Sequence, residues 1–346
     1  MPPLSIQLPC RSVIAIAMLF VLSFIATGCQ NRRGESEPVA AWVTQRLQAE
    51  TGRAPDDKAV AQAMNRIAAN LYKKGEYREM EPAALAALRF SEQRLGSEHP
   101  DTLTALNNLA ALYYTRGLYG KAEPLYLGAL AARKRTLGPE HPDTLESLNN
   151  LASLYQSQGR YREAKPLLER TLLSCGRVLG YRHPDTLGTL NNLALLYDSE
   201  GRRGEAMALL ERARSASEKA LGFDHPTTLT TLNNLATLYY AEGRYGEAES
   251  LYLRVLAARR SALGPEHPET IGSLNNLADL YKAQGRYGKA LPLYRQALAS
   301  FERVLGEEHP HTLTTRANLA DLYRIQGRHG EAEALLSPQT GETSRL

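Results

Sequence analysis

Apolar residues in this chain recur at helical spacing, stop, and begin again. Between His99 and Gly117, the residues Leu106, Leu109, Ala110 and Tyr113 fall at i, i+3, i+4 and i+7, one face of an α-helix. A second series follows, Ala122, Leu125, Tyr126, Ala129, Leu130 and Leu137, and it stops at Gly138. The pattern predicts two helices, joined at Gly117 and closed at Gly138, because glycine tolerates the left-handed backbone that ends helices. His99-Pro100-Asp101-Thr102 gives the start. Pro100 suits the first helical position, where its missing N–H is not needed. Asp101 puts negative charge at the positive end of the helix dipole.

The two-helix pattern returns with a period of 42 residues: His-Pro occurs at His99, His141, His183, His225, His267 and His309. The turn glycine keeps the same step at Gly117, Gly159, Gly201, Gly243, Gly285 and Gly327, as does the closing glycine from Gly96 to Gly306. Strict self-similarity at such a period predicts a solenoid, in which units too thin to bury their own faces stack on one another. An earlier copy, about residues 55–96, is degenerate and has Asn65-Arg66 where later copies have Asn-Asn. The last copy is cut short after Leu336, with Pro338 beyond it. Ahead of the array, Val39, Trp42, Val43 and Leu47 line one side of a predicted helix within 38–54, read as a half-repeat cap with Trp42 as its anchor rather than a ligand platform. No capping helix is evident after Leu336, which leaves either a frayed end or a docking edge.

The order of small and large residues, Leu106-x-x-Leu109-Ala110-x-x-Tyr113 followed by Gly117, Tyr119, Ala122 and Tyr126, resembles the tetratricopeptide repeat. The usual repeat has about 34 residues. The longer copies here, with HPDT, LNNLA and LG, resemble the kinesin light chain type. The resemblance covers about residues 55–337 and implies an all-α fold, a right-handed superhelical solenoid of antiparallel helix pairs with about seven repeats.

Residues 1–28 form a different object. Arg11 supplies a positive flank, Val13 to Ala26 is apolar apart from Ser23, and Thr27-Gly28-Cys29 follows. This reads as a signal peptide with a small-residue cleavage region. Ile25-Ala26-Thr27-Gly28-Cys29 resembles a bacterial lipobox, which implies that Cys29 becomes a lipidated N-terminus; Ala26 stands where leucine is usual. Acyl chains at about 0.8 kcal/mol per buried CH₂ anchor such an end firmly. A plain signal peptide or an uncleaved anchor is the other reading, although the apolar run is short of the roughly 20 residues a membrane helix needs. Gln30 after the cysteine points, by the same resemblance, to an outer-membrane lipoprotein facing the periplasm. Residues 29–37 are polar and predict a tether, and 338–346 a disordered tail.

Composition changes little in this picture. Lys and Arg number 41 against 37 Asp and Glu, net +4, with the signs interspersed. No basic block argues for nucleic acid. With Cys10 lost and Cys29 lipidated, Cys175 is the third and last cysteine, so no internal disulfide remains. It sits where sister copies carry Arg133, Ser217 and Arg259, and reads as a small, partly buried thiol rather than a reactive one.

The polar residues that keep the period are the candidates for function. An Asn-Asn pair recurs at Asn107/Asn108, Asn149/Asn150, Asn191/Asn192, Asn233/Asn234 and Asn275/Asn276; the last copy reads Ala317/Asn318. On a helical wheel the first Asn lies about 100° from the apolar face and the second about 160°. In the resembled fold that far side lines a concave groove. A column of Asn108, Asn150, Asn192, Asn234, Asn276 and Asn318 is thus expected along it, able to pair with the backbone of an extended peptide through amides that both donate and accept. The alternative is that these amides only tie neighbouring helices together, and for the first Asn of each pair that reading is preferred. Selectivity falls to the positions that vary, Tyr114, Gln156, Asp198, Tyr240, Lys282 and Arg324, and to the series Ala111, Ser153, Leu195, Thr237, Asp279 and Asp321. This mixed lining lacks the Lys/Arg clamp with which chaperone-binding relatives hold a C-terminal carboxylate.

The histidine column does not read as a metal site, because packed helices lie about 10 Å apart and successive copies stand too far from one ion. A helix-start role fits it better. No P-loop, G-x-S-x-G, H-E-x-x-H or C-x-x-C occurs. The expectation is a non-catalytic scaffold at the bacterial envelope. It binds a protein or peptide partner, with no cofactor, no nucleic acid and no small-molecule substrate. The alternative is a structural assembly factor acting through its convex face or open C-terminal end.

Overall fold

The structure, a computed structural model, describes residues 36–337. The leader, Cys29 and most of the tether on one side, and the tail 338–346 on the other, lie outside the described residues. Among the described residues there are fifteen helices and no strand. Helix α1 (Ser36–Thr51) precedes the array. The pairs are α2/α3 (Asp57–Lys73, Tyr77–Leu95), α4/α5 (Pro100–Thr115, Tyr119–Thr136), α6/α7 (Pro142–Ser157, Tyr161–Val178) and α8/α9 (Pro184–Ser199, Arg203–Leu221). They continue as α10/α11 (Pro226–Ala241, Tyr245–Leu263), α12/α13 (Pro268–Ala283, Tyr287–Leu305) and α14/α15 (Pro310–Ile325, His329–Leu336). The chain is an all-α solenoid of helix pairs.

The first repeat is capped by Asp56, whose Oδ1 accepts the Ala59 N–H at 2.7 Å, and the six that follow share one local chemistry at their start. The histidine of His-Pro is the N-cap: Nδ1 of His141 accepts the backbone N–H of Asp143 at 3.2 Å, and Nδ1 of His183 that of Asp185 at 3.3 Å. An imidazole thus does the work usually given to Ser or Asp, satisfying one of the orphan N–H groups of the first turn. Proline follows at the first helical position. Two residues further on, in four of these six repeats, the Thr hydroxyl reaches back to the closing glycine: Thr144 Oγ1 donates to the Gly138 carbonyl at 2.8 Å and Thr186 Oγ1 to that of Gly180 at 2.9 Å, with Thr102 and Thr312 alike, whereas Thr228 and Thr270 do not make the bond. Gly138 and Gly180 have φ of 91° and 89°, a backbone that L side chains rarely adopt.

The turn inside each of the last five pairs is also pinned. Arg160, just before α7, lies 4.0 Å above the ring of Tyr155 at the end of α6, and Arg202 lies 3.9 Å above Tyr197. Arg244, Arg286 and Arg328 repeat the contact on Tyr239, Tyr281 and Tyr323. The recurring Tyr-x-x-x-x-Arg is therefore a cation–π clasp.

Packing divides the described residues into two compact units, parted between Leu109 and Ala110. In the described part of the first, Ala40 and Val43 of α1 pack with Val60, Ala63 and Met64 of α2 and Ala86 and Ala87 of α3, and Trp42 lies half-buried against them. In the second, fully buried alanines mark the helix crossings: Ala152, Ala194, Ala236, Ala278 and Ala320 on the first helices, and Ala164, Ala206, Ala248, Ala290 and Ala332 on the second. Small residues at a crossing let two helix backbones approach at the lower end of the usual 8–10 Å. Leucines such as Leu154, Leu196 and Leu238 fill the space between them.

In this second unit, successive first helices (α6, α8, α10, α12, α14) touch one another directly, whereas successive second helices barely do. The first helices therefore make the shorter, inner row. The turn after α4 also meets the start of α14, where His309 Nε2 lies against the carbonyl of Thr115.

Candidate functional site

The inner row carries the asparagines. Across the second unit, Asn150, Asn192, Asn234, Asn276 and Asn318 are all half-buried. Asn192 Nδ2 donates to Asn149 Oδ1 at 3.1 Å and to Ser153 Oγ at 2.9 Å, both on the preceding first helix. Asn276 Nδ2 repeats the first bond, to Asn233 Oδ1 at 3.1 Å. Asn318 Nδ2 repeats the second, to Asp279 Oδ1 at 3.0 Å, since Asp279 stands where Ser153 does. The second Asn of a pair thus leans back onto the repeat before it. The first Asn leans forward: buried Asn191 donates through Nδ2 to Thr231 Oγ1 at 2.9 Å on the next first helix. In the first unit, Asn65 Nδ2 likewise donates to the Asp101 carbonyl at 2.8 Å. Asn107 there is buried and Asn108 half-buried.

The helical wheel treated each helix as isolated. In the array, neighbours flank each first helix on both sides, so even the residue furthest from the core loses part of its exposure. The amides of Asn192, Asn276 and Asn318 are held in fixed orientations by these inter-repeat bonds. An amide offers two N–H donors and a carbonyl acceptor, so a single tie leaves hydrogen-bonding capacity over.

The variable positions lie along the same row. Tyr114, half-buried, shares a hydrogen bond of 3.0 Å with Ser157 Oγ, and burial raises the pKa of its phenol. Gln156 Nε2 donates to the Asn192 carbonyl at 2.8 Å. Asp198 Oδ1 accepts from Arg203 Nε at 3.1 Å. Tyr240 lies with its ring centre 6.0 Å from that of Tyr245. Lys282 Nζ stands 5.7 Å above the ring of Tyr294, and Arg324 Nη1 donates to Asp321 Oδ1 at 3.3 Å.

Sequence reasoning named Asp279 and Thr237 as variable positions on this row but missed the buried tyrosines they meet. Asp279 accepts from Asn318 Nδ2 and from the Tyr294 hydroxyl through Oδ1, and from Asn275 Nδ2 at 3.1 Å through Oδ2. Burial pushes its carboxyl up, and the Tyr294 hydrogen bond and the Lys282 charge only partly offset this. Burial and then the Asp279 charge push the Tyr294 phenol up. One repeat earlier, Thr237 Oγ1 and the Tyr252 hydroxyl are 2.9 Å apart, and burial pushes Tyr252 up to about 12. The available signal was a polar residue and a tyrosine 15 positions apart, which only a helix-pair geometry brings together.

Cys175 is buried, and burial pushes its thiol up, which disfavours the nucleophilic thiolate. Among the described residues no group of three or more His, Cys, Asp or Glu converges to hold a metal ion. Among them, too, no helix is long and apolar enough to cross a membrane.

The tetratricopeptide repeat family model matches residues 59–127, 107–172, 148–219, 227–303 and 272–337. No curated protein matches the chain. Among solved structures it is similar to a putative kinesin light chain of Podosopora anserina with nearly identical TPR-like repeats: 36% identity over 57% of this chain and 93% of that one, TM-score 0.46. It is similar in fold to the quorum sensor NprR from B. thuringiensis in its apo form, with 13% identity, 88% and 96% coverage and a TM-score of 0.53. The complex of NprR with its cognate peptide NprX gives 14% identity, 94% and 87% coverage and a TM-score of 0.60.

Proposed function

The chain belongs to the tetratricopeptide repeat family, and on that premise we propose that it is a non-catalytic scaffold that holds an extended segment of a protein partner against its inner row of first helices. Repeats of this family generally mediate protein–protein interaction. The observation that carries the reading is the ladder of half-buried amides at Asn150, Asn192, Asn234, Asn276 and Asn318, several of them oriented by bonds to the preceding repeat. Preorganised donors and acceptors at a regular step suit a peptide backbone, whose own N–H and C=O groups recur regularly, and they lower the ordering cost of binding. Tyr114, Gln156, Asp198, Tyr240, Lys282 and Arg324 then select among segments. Changing Asn150, Asn192 and Asn234 together to Ala should abolish partner capture from envelope extract while circular dichroism keeps its helical signal; undiminished capture would refute the reading.

The envelope tether rests on the leader and Cys29, which lie outside the described residues. Cys29→Ser should release the protein from the membrane fraction and remove its labelling by palmitate. A chain that stays membrane-bound and unlabelled before and after the change is not a lipoprotein.

One observation favours the alternative, an assembly factor acting through its last repeat. Ile325 and Leu336 keep 53% and 42% of their surface exposed on α14 and α15. If that surface is the working one, removing residues 328–346 abolishes complex formation and the asparagine changes do not.

A further inference from the structure

Of the six buried positions at 42-residue steps on the second helices, Ser91, Arg133, Cys175, Ser217, Arg259 and Phe301, three show one acceptor site in two states. Arg133 is 2% exposed and reaches from α5 onto the next first helix, α6. Its Nη1 donates to the Asp143 carbonyl at 2.7 Å, Ser147 Oγ at 2.8 Å and Glu146 Oε2 at 3.1 Å. Arg259 does the same from α11 onto α12: Nη1 donates to the Glu269 carbonyl at 3.2 Å and Ser273 Oγ at 2.9 Å, and Nη2 lies 3.1 Å from Glu269 Oε2. Ser273 Oγ meanwhile donates to that same carbonyl at 2.9 Å.

At α7 the equivalent residue is Cys175, too short to cross. The acceptors it faces are intact. Thr189 stands where Ser147 and Ser273 do, Asp185 where Asp143 and Glu269 do, and Thr189 Oγ1 donates to the Asp185 carbonyl at 2.9 Å as Ser273 does to Glu269. Gly188 stands where Glu146 does, so no side chain fills the space from that side. What remains is a cavity of about 210 Å³ whose lining includes Glu146, Asn149, Cys175, Asp185, Gly188 and Thr189. It is several times the ~30 Å³ share of one water. Two carboxylates line it and no Lys or Arg does. The Glu146 carboxylate is held between Arg133 and this cavity.

We propose that this cavity is a guanidinium site, filled from within the chain by Arg133 and Arg259 in their own repeats and at Cys175 left for an arginine side chain of the bound partner. Planar N–H donors match a carbonyl, a hydroxyl and a carboxylate better than an ammonium does. That the arginine comes from a partner segment rests on the scaffold reading above; the cavity's preference for guanidinium does not.

The test is titration of the purified protein with N-acetyl-arginine methylamide, and with the lysine and citrulline analogues, followed by amide NMR shifts at Asp185, Gly188 and Thr189. The arginine analogue should move these resonances with at least tenfold tighter binding than either analogue. Cys175→Arg should abolish the shifts and raise the melting temperature, because the chain then fills its own cavity. Should that variant not fold, Thr189→Val keeps the shape, removes one acceptor and should weaken binding severalfold. Equal binding of the arginine and citrulline analogues, or binding undiminished in Cys175→Arg and Thr189→Val, overturns the proposal. Loss of partner capture in the asparagine variant with arginine binding retained leaves the cavity assignment standing and isolates the partner's segment as the separate question.

Discussion

Asn192 Nδ2 donates to Asn149 Oδ1 at 3.1 Å, so the second asparagine of one repeat is bonded to the first asparagine of the repeat before it. A 42-residue period and a 43-residue bond separation are the two facts this joins: the pair is adjacent in sequence because each member serves a different neighbour. The ladder is at once the mortar between repeats and the lining of the inner row.

Asn192→Ala removes the bonds to Asn149 and Ser153 and leaves two half-buried acceptors without their donor. A hydrogen bond contributes about 1 kcal/mol net, and an orphaned group costs about 1–3. The variant should lose roughly 1–2 kcal/mol in urea unfolding followed by circular dichroism. Asn192→Asp should lose at least as much, because it places an acceptor where a donor is needed.

Asp279 anchors three donors, from Tyr294, Asn318 and Asn275. Asp279→Ala strands them and should cost about 1–3 kcal/mol. Its pKa is raised from the usual 3.8 by burial, so the folded state keeps a proton that the unfolded chain gives up. Its ionisation therefore weakens the fold as pH rises from 3.8 through the folded value. Comparing wild type with Asp279→Asn across that range isolates the effect: the wild type should lose stability relative to the variant as pH rises.

His309 and His311 titrate in the opposite sense. Desolvation lowers both below the ordinary 6.5; at His309 the hydrogen bond with the Thr115 carbonyl opposes this and Arg116 adds to it, and at His311 the neighbouring His309 adds to it. Neutral imidazoles are favoured in the fold, so their contribution is fully present above pH 6.5 and is lost as pH falls toward the folded values. The melting temperature should drop between pH 7 and 5 more steeply in the wild type than in a His309→Asn/His311→Gln variant, since asparagine caps the helix without titrating.

His183 caps α8 through Nδ1, accepting from the Asp185 N–H. His183→Ala should cost about 0.5–2 kcal/mol, and His183→Asn should restore most of it. Equal stability of the two variants would show that the cap contributes nothing.

Much of this protein was legible as a string. Recurring glycines, His-Pro starts and paired apolar series fix the helix pairs and their order, because each depends on residues within one or two turns. The family follows from the same local signals. The histidine column was readable as a helix start for the same reason, and Trp42 as part of the first unit's packing.

What the string could not say concerns residues that meet across repeats. Whether Asn192 faces open space or Asn149, whether Asp279 meets Tyr294, and whether Arg133 or Cys175 fills the gap before the next helix depend on the rotation and offset between stacked pairs. That geometry is set by how buried alanines and leucines interlock throughout the array. A periodic pattern repeats identically whichever way its units are turned against one another, so only the packed structure shows which side chains meet across a repeat boundary.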